Sequence, residues 1–324
     1  MCIQREISMN DKSIVILTEA GNTQGFGHLS RCCALYDESV ALGIDTRLIV
    51  NATERLPEMP RNVVVANWLD LSVLMQFMEF SNRVIVDSYL ADFDIYKTIA
   101  DNCKAALYID DYMRIVYPKG IVVNPSLYGD KIPYIPGSGS IYLGGHEYVI
   151  VRPEFQNVKK LDCNDACNSI LITMGGSDIL NLTPLVLGGL VKELPNAHKH
   201  VVIGPGFSCI DEITLMADGN TELHNSPAAA KMRDLMLSVD IAITAAGQTI
   251  YEMMSCGIPM IPIKVIDNQG WNIKGLQRQG FRCLDAAETD FNDISWKDLI
   301  DNSLQYQPLS FNGQKEIIKA LIGA

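Results

Sequence analysis

Short, nearly continuous apolar runs alternate along this chain with longer stretches that mix apolar and polar residues at helical spacing. In the first half the runs are "SIVILTEA", "TRLIVN", "NVVVANW", "RVIVDSY", "AALYIDDY" and "GIVVNPS". Strands buried on both faces of a parallel sheet have this pattern, and residues 28–43 and 92–103 between them read as helices. Over 127–146 the alternation gives way to a stretch dense in Gly, Pro, Ser and Tyr, which is loop chemistry. It then restarts with "SILITMGG", "HKHVVIGPG", "TELHN", "IAITAAG", "IPMIPIK" and "FRCLD". Helices are expected near 181–194, 227–239, 247–256 and 270–279, and two more within 295–322. The pattern predicts right-handed βαβ units in two doubly wound α/β domains, 12–148 and 149–324, with a ligand cleft between them.

Composition narrows the partners. The 324 residues are 48% hydrophobic and 20% charged, which suits a globular protein with a sizeable core. The formal net charge of −12 speaks against nucleic acid and against anionic membrane surfaces, since there is no basic field to neutralise phosphates. One local basic spot is enough for a diphosphate. The nine Cys form no pair of CxxC knuckles (Cys32 and Cys33 are adjacent, Cys163 and Cys167 four apart), so a reduced, cytoplasmic protein without a metal site is expected. The polar "MCIQREISMNDK" has no apolar core of a signal peptide, and no apolar run reaches the roughly 18 residues of a membrane span. Met9 is an alternative start, and a monomer is the expectation.

The candidate chemistry sits where strands hand over to helices. "GFGHLSRCC" follows the first strand, so Gly25 and Gly27 fall in the loop at its carboxyl end and a helix starts near His28. Glycine there lets backbone approach a ligand, and the helix N-terminus suits a phosphate or a sugar and disfavours imidazolium. A neutral His28 is then either a general base or a first-turn histidine that hydrogen-bonds locally. "LITMGGSD", with Gly175, Gly176, Ser177 and Asp178, is a second strand-to-glycine turn. "IAITAAGQTIYEMM" is a third; its helix should begin near Gln248 and carry Glu252 one turn in, where a carboxylate can accept two ribose hydroxyls. "DNQ" at 267–269 opens a further helix with Asp267 as a candidate N-cap. Such turns in succession favour a nucleotide site. Asp87, Asp110 and Asp111 end strands and either bind hydroxyls, tune His28 or cap helices. His198 and His200 share a strand face with no acidic or Cys partner near them in sequence, so structural roles are favoured, and Trp271 reads as helix packing.

"GFGHLSRC", "VDSY", "IDDY", "YLGGHEYVIVRPEF", "ILITMGGSDILNLT", "VVIGP", "DIAITAAGQTIYEMMSCGIPMI" and "DNQ" occur in that order. Together they resemble the UDP-sugar hydrolases of the pseudaminic-acid pathway and their spore-coat-polysaccharide relatives, the PseG/SpsG group, from about residue 14 to 280. The resemblance implies a GT-B architecture of two Rossmann-like domains, with a second half similar to the lipid-intermediate glycosyltransferase of peptidoglycan synthesis. It implies removal of UDP from a 2,4-diacetamido-2,4,6-trideoxy sugar without a metal or other cofactor. Its catalytic histidine falls on His28. Its UDP contacts fall on Gly175, Gly176 and Ser177, on Ala246, Gly247, Gln248 and Thr249, and on Glu252, Asn268 and Gln269, with Gly204 of "VVIGP" beside them. The sugar-side candidates are Gly25, Gly27, Arg31, Asp87, Tyr89, Asp110 and Asn124. Two stretches depart from the hydrolases. "LTEAG" has Glu19 and Gly21 where they carry Asp and Ser, and "VVNPS" replaces their Asp-Gln-Asn. Both departures bear on the sugar more than on the nucleotide.

The expected reaction is hydrolysis of a UDP-sugar with inversion at C1. An inverting glycosyltransferase using the same base on an acceptor hydroxyl is the alternative, and a non-catalytic nucleotide-sugar binder, which has no use for His28, is a third class.

Overall fold

The structure, a computed structural model, describes residues 13–21, 26–52, 56, 62–135, 139–158, 160, 167–304 and 309–324. It divides into two compact units: Asn312–Ala324 with the chain up to Ile150, and Val151–Phe311.

The first unit is a seven-stranded parallel sheet. Its strands are β1 (Ser13–Ala20), β2 (Asp45–Ala52), β3 (Val63–Val65), β4 (Arg83–Asp87), β5 (Ala105–Ile109), β6 (Gly120–Asn124) and β7 (Ser140–Gly144). The spatial order is β3-β2-β1-β4-β5-β6-β7, so the winding reverses between β1 and β4. All eight residues of β1 are buried, as a central strand covered on both faces requires. The helices α1 (Gly27–Ala41), α2 (Leu71–Met78) and α3 (Phe93–Asn102) connect the strands. Asp70 and Asp92 cap α2 and α3 by accepting from Ser72 N and Ile95 N, satisfying backbone donors that the first turn leaves free. The Met-rich run "LMQFM" supplies core contacts through Leu74 and Met78.

The second unit is a six-stranded parallel sheet of β8 (Ser169–Thr173), β9 (His198–Ile203), β10 (Thr221–Asn225), β11 (Ile241–Ala245), β12 (Met260–Lys264) and β13 (Leu284–Asp285). Its order, β10-β9-β8-β11-β12-β13, repeats the winding of the first sheet and reverses between β8 and β11. Helices α4 (Leu182–Glu193), α5 (Ile210–Met216), α6 (Ala229–Ser238), α7 (Thr249–Cys256), α8 (Gly270–Arg278) and α9 (Trp296–Asp301) complete it. Trp296 is fully buried against the α4 side of this core. It stands where a Cβ on Gly189 would lie 2.3 Å from the indole nitrogen.

Two features differ from the sequence expectation. Within the stretch read as loop, β7 adds an edge strand on β6, with Tyr142 stacked on Tyr134 at 4.7 Å. Half-buried, short and flanked by glycine, it lacks the continuous apolar signature of its neighbours. The last helix, α10 (Gly313–Gly323), belongs to the first unit, whereas the whole tail had been expected with the second. Ile317, Ile318 and Leu321 enter the core around α1, and the Gly313 N–H donates to Val149 O at 3.1 Å. A side chain at 313 would meet that carbonyl at 2.2 Å. Among the described residues no helix is long and apolar enough to cross a membrane.

Candidate functional site

In open α/β sheets the strand order reverses at a crevice beyond the carboxyl ends of two central strands. Each unit builds a polar constellation at that place.

In the first unit the constellation centres on Asp87, the last residue of β4, which is wholly buried. His28, near the start of α1 and 5% exposed, places Nδ1 2.6 Å from Asp87 Oδ1. Arg31 lies one turn further along the same helix face. It donates from Nε to Asp87 Oδ2 at 2.5 Å and from Nη2 to Oδ1 at 2.6 Å. The same guanidinium reaches Asp111 from Nη1 at 2.7 Å and from Nη2 at 2.9 Å. Tyr89 donates its hydroxyl to Asp111 Oδ2 at 2.5 Å, and its ring meets the imidazole edge-to-face at 4.2 Å. Burial alone raises the pKa of a carboxyl. Against that, the Arg31 charge and then His28 hold Asp87 well below the usual carboxylate range, and Arg31 does the same for Asp111. Burial and the Asp111 charge push the Tyr89 phenol well up.

The ionised Asp87 only accepts hydrogen bonds, so the nitrogen facing it carries the proton. The 3.2 Å approach of Arg31 Nη2 to the same nitrogen is then two donors converging on one carboxylate oxygen. His28 Nε2 has no hydrogen-bond partner among the described residues.

The sequence expectations meet this geometry unevenly. The His28 ring is largely enclosed, because Asp87, Arg31 and Tyr89 pack around it. Arg31 is buried and its donors are spent on two carboxylates rather than left for a sugar. Asp110 does not join His28; its neighbour Asp111 does. The Asp110 carboxylate accepts from Met113 N, Arg114 N, Tyr117 OH and Tyr134 OH and so ties together the turn after β5. Asn124 is buried and braces the next turn, accepting from Ser126 and donating to Tyr134. Glu19, read only as a departure at the end of β1, is fully buried and accepts from Ser88 Oγ, Tyr89 N and Leu90 N. It fixes the backbone that carries Tyr89. Gly27 opens α1 with no atom within 4 Å of a would-be Cβ, while Gly25 lies outside the described residues.

In the second unit, a cavity of ≈ 200 Å³ opens at the reversal between β8 and β11. Gly175, Gly176, Ser177, Gly247, Gln248, Thr249 and Gln269 line it, with Asp178, Ile179 and Ile266. Gly175 turns the chain at φ +77°, a conformation that favours glycine. Asp178 caps α4, accepting from Leu182 N at 2.9 Å and Thr183 N at 2.8 Å. Gln269 accepts from Val265 N and so fixes the "DNQ" turn, which is a single 3-10 turn ahead of α8 without a cap from Asp267. Gly204 stands behind the cavity: a Cβ there would sit 2.4 Å from Gly176 O and 2.6 Å from Gly175 O. It makes room for the turn. Ala246 is buried, and neither it nor Asn268 lines the cavity.

Glu252 is the largest correction. Its carboxylate, 2% exposed in the first turn of α7, receives Arg152 Nε at 2.5 Å and Nη2 at 2.8 Å. The carboxylate, expected to accept ribose hydroxyls, is already engaged by a bidentate guanidinium from the same unit. Arg152 also lies over the Phe155 ring at 4.8 Å. The pair removes a difficulty: a bare carboxylate at this helix start repels phosphate, and a neutralised one does not. Sequence reasoning missed Arg152, whose signal was a lone Arg in the apolar "VIVRPEF".

The two Rossmann-like units define a fold of the GT-B type, whose solved examples include glycosyltransferases and epimerases. MurG of Acinetobacter baumannii matches with a TM-score of 0.64 at 13% identity, over 96% of this chain and 100% of its own. MnaA of S. aureus, solved with UDP, matches at 0.62 and 11% identity over 95% of each chain. The UDP-GlcNAc 2-epimerase of Neisseria meningitidis bound to UDP-GlcNAc gives 0.58 at 12%, over 96% of this chain and 100% of its own. At such identities the likeness is one of fold.

No protein-family model matches the chain. Its curated homologues include the spore coat polysaccharide biosynthesis protein SpsG of Bacillus subtilis, 26% identical over 57% of this chain and 55% of that protein. They also include the Helicobacter pylori pseudaminic acid cytidylyltransferase and UDP-2,4-diacetamido-2,4,6-trideoxy-beta-L-altropyranose hydrolase, 23% identical over 79% of this chain and 45% of that protein. An uncharacterised protein of Methanocaldococcus jannaschii is 25% identical over 76% of this chain and 54% of its own. The chain spans about half the length of the curated relatives it matches.

Proposed function

We propose that the protein hydrolyses a UDP-linked diacetamido deoxy sugar to free sugar and UDP, with inversion at the anomeric carbon, in nonulosonic-acid or surface-polysaccharide synthesis. The observation that carries the reading is the imidazole of His28, oriented through Nδ1 by buried Asp87 and left with Nε2 unpartnered among the described residues. Nε2 takes a proton from water, whose oxygen attacks C1. The C1–O bond to the diphosphate breaks, and UDP leaves with the electron pair. Asp87 holds the tautomer and stabilises the imidazolium that forms. The glycine turns after β8 and β11 hold the diphosphate, and the N-terminus of α7, its Glu252 neutralised by Arg152, favours the developing negative charge. The hydrolase activity for which the H. pylori relative is named supports this substrate class. The residues named act without a metal.

Turnover in water enriched in heavy oxygen tests the proposal. Label on C1 of the released sugar, with stoichiometric UDP formed in the absence of any acceptor, is the expected result. Label in UDP places the attack at phosphorus, and UDP release that waits for an acceptor hydroxyl assigns the protein to the transferases instead.

A further inference from the structure

Outside both constellations, β9 and β10 bring three potential metal ligands together. Glu222 pairs in register with His200 across the parallel ladder, and His224 follows two residues on, so all three project from one face of the sheet. Val201, Ile203 and Leu223 project from the other face into the core. His200 Nδ1 lies 3.1 Å from His224 Nε2. The Glu222 carboxylate stands 3.6 Å from His200 Nδ1 and 3.7 Å from His224 Nδ1. The sequence alone had left His200 without an acidic partner; the register supplies one.

The geometry points to a divalent transition-metal site, with zinc as its fitting ion, formed by His200 Nδ1, His224 Nε2 and a Glu222 oxygen. Ligand atoms around a tetrahedral zinc at 2.0–2.1 Å stand about 3.3 Å apart, and the two imidazole nitrogens are already near that spacing. One ligand atom from each residue falls within 4.8 Å of the others. Two histidines and a carboxylate leave the fourth position of a tetrahedron to water or an incoming ligand. His224 is buried and held in place, while Glu222, 66% exposed at its side chain, is free to swing onto the ion. The ion would pin β10, the edge strand, to β9.

The test is equilibrium binding to the untagged, metal-free full chain. Zinc is titrated in competition with a chromophoric chelator, and cobalt(II) is followed by its visible absorption. One zinc per chain is expected, with cobalt bands of a tetrahedral nitrogen–oxygen site and a rise in Tm on adding metal. Glu222→Gln should weaken binding at least about tenfold, and this exposed change leaves the fold intact. The double variant His200→Gln/His224→Gln should abolish binding. Three results overturn the proposal: no saturable binding by the wild type, binding unchanged in Glu222→Gln, or near-ultraviolet thiolate-to-cobalt absorption, which would put the ion on some of the nine cysteines. If the double variant does not fold, Glu222→Gln decides alone.

Discussion

Asp87 Oδ1 meets His28 Nδ1 at 2.6 Å, and Arg31 occupies the rest of that carboxylate. The histidine is thereby held in one tautomer from a residue 59 positions away, at the point where the first sheet reverses its winding. Replacing the ring should stop chemistry without touching the cavity between β8 and β11. His28→Asn is expected to cut kcat by about 10²–10⁴-fold and to leave the Kd for UDP within about twofold, as read by calorimetry. A parallel collapse of UDP affinity would mean that His28 serves binding instead.

Asp87→Asn separates orientation from proton transfer. The amide can present an N–H to Nδ1 and so turn the ring's lone pair inward. Its turnover should therefore fall by about as much as that of the histidine variant. It also leaves Arg31 with Asp111 alone, and breaking a buried pair on one side typically costs about 3–5 kcal/mol. Urea unfolding should register that loss, whereas His28→Asn should lose far less.

Acid should undo the first constellation in a defined direction. The pKa values of Asp87 and Asp111 are lowered in the folded protein: burial raises each, but the charge and hydrogen bonds of Arg31 together with His28 overcome it. Between the folded values and the unfolded value of about 3.9, the unfolded chain binds more protons. Stability contributed by these groups is thus complete above that unfolded value, and it drains away as pH falls through the window beneath it. Unfolding free energy measured from pH 5 downward should drop steeply in the wild type and less steeply in Asp87→Asn. Equal slopes would remove Asp87 from the account.

Arg152 and Glu252 form a pair whose halves can be tested against each other. Arg152→Ala uncovers a buried carboxylate in the first turn of α7, beside the cavity at the β8–β11 reversal. UDP should then bind about tenfold more weakly, since a like charge at a helix N-terminus opposes phosphate, and the deficit should shrink as salt is added. Adding Glu252→Gln should restore most of the affinity. A double variant as weak as the single one would show that Arg152 acts on the ligand directly.

The sheets were legible because strands covered on both faces carry an unbroken apolar run through their middle, as Ile14–Leu17 of β1 and Val84–Val86 of β4 do. The glycine turns were legible for a related reason: a chain leaving a buried strand for a helix beside a ligand needs small residues there. What stayed hidden depends on register and side-chain direction. Nothing in "IDDY" says which of two adjacent carboxylates faces Arg31, because that depends on how the chain leaves β5. Arg152 and Glu252 lie 100 residues apart, and His200 meets Glu222 only through the pairing of β9 with β10. The edge strand β7 and the return of α10 to the first unit escaped similarly, their apolar content being that of surfaces covered on one side.

The glycines around the second cavity should divide into those that shape it and those that face its contents. A Cβ on Gly204 would lie within 2.6 Å of two carbonyl oxygens of the Gly175–Gly176 turn, with no flexible side chain to give way. Gly204→Ala should therefore lower Tm and distort the turn, costing UDP affinity as a by-product. Gly176 has nothing within 4 Å of a would-be Cβ and no positive φ, so Gly176→Ala carries no internal penalty. Its methyl group would stand in the cavity mouth. If a diphosphate approaches the backbone here, that variant keeps the wild-type Tm and binds UDP at least about tenfold more weakly, a loss of about 1.4 kcal/mol. Gly175 is the intermediate case: open space around it, but a φ of +77° that strains any other residue by about 1–2 kcal/mol. Thermal melts and UDP titrations on the three variants give the ordering. Unchanged UDP binding by a stable Gly176→Ala protein would remove the turn after β8 from the nucleotide site.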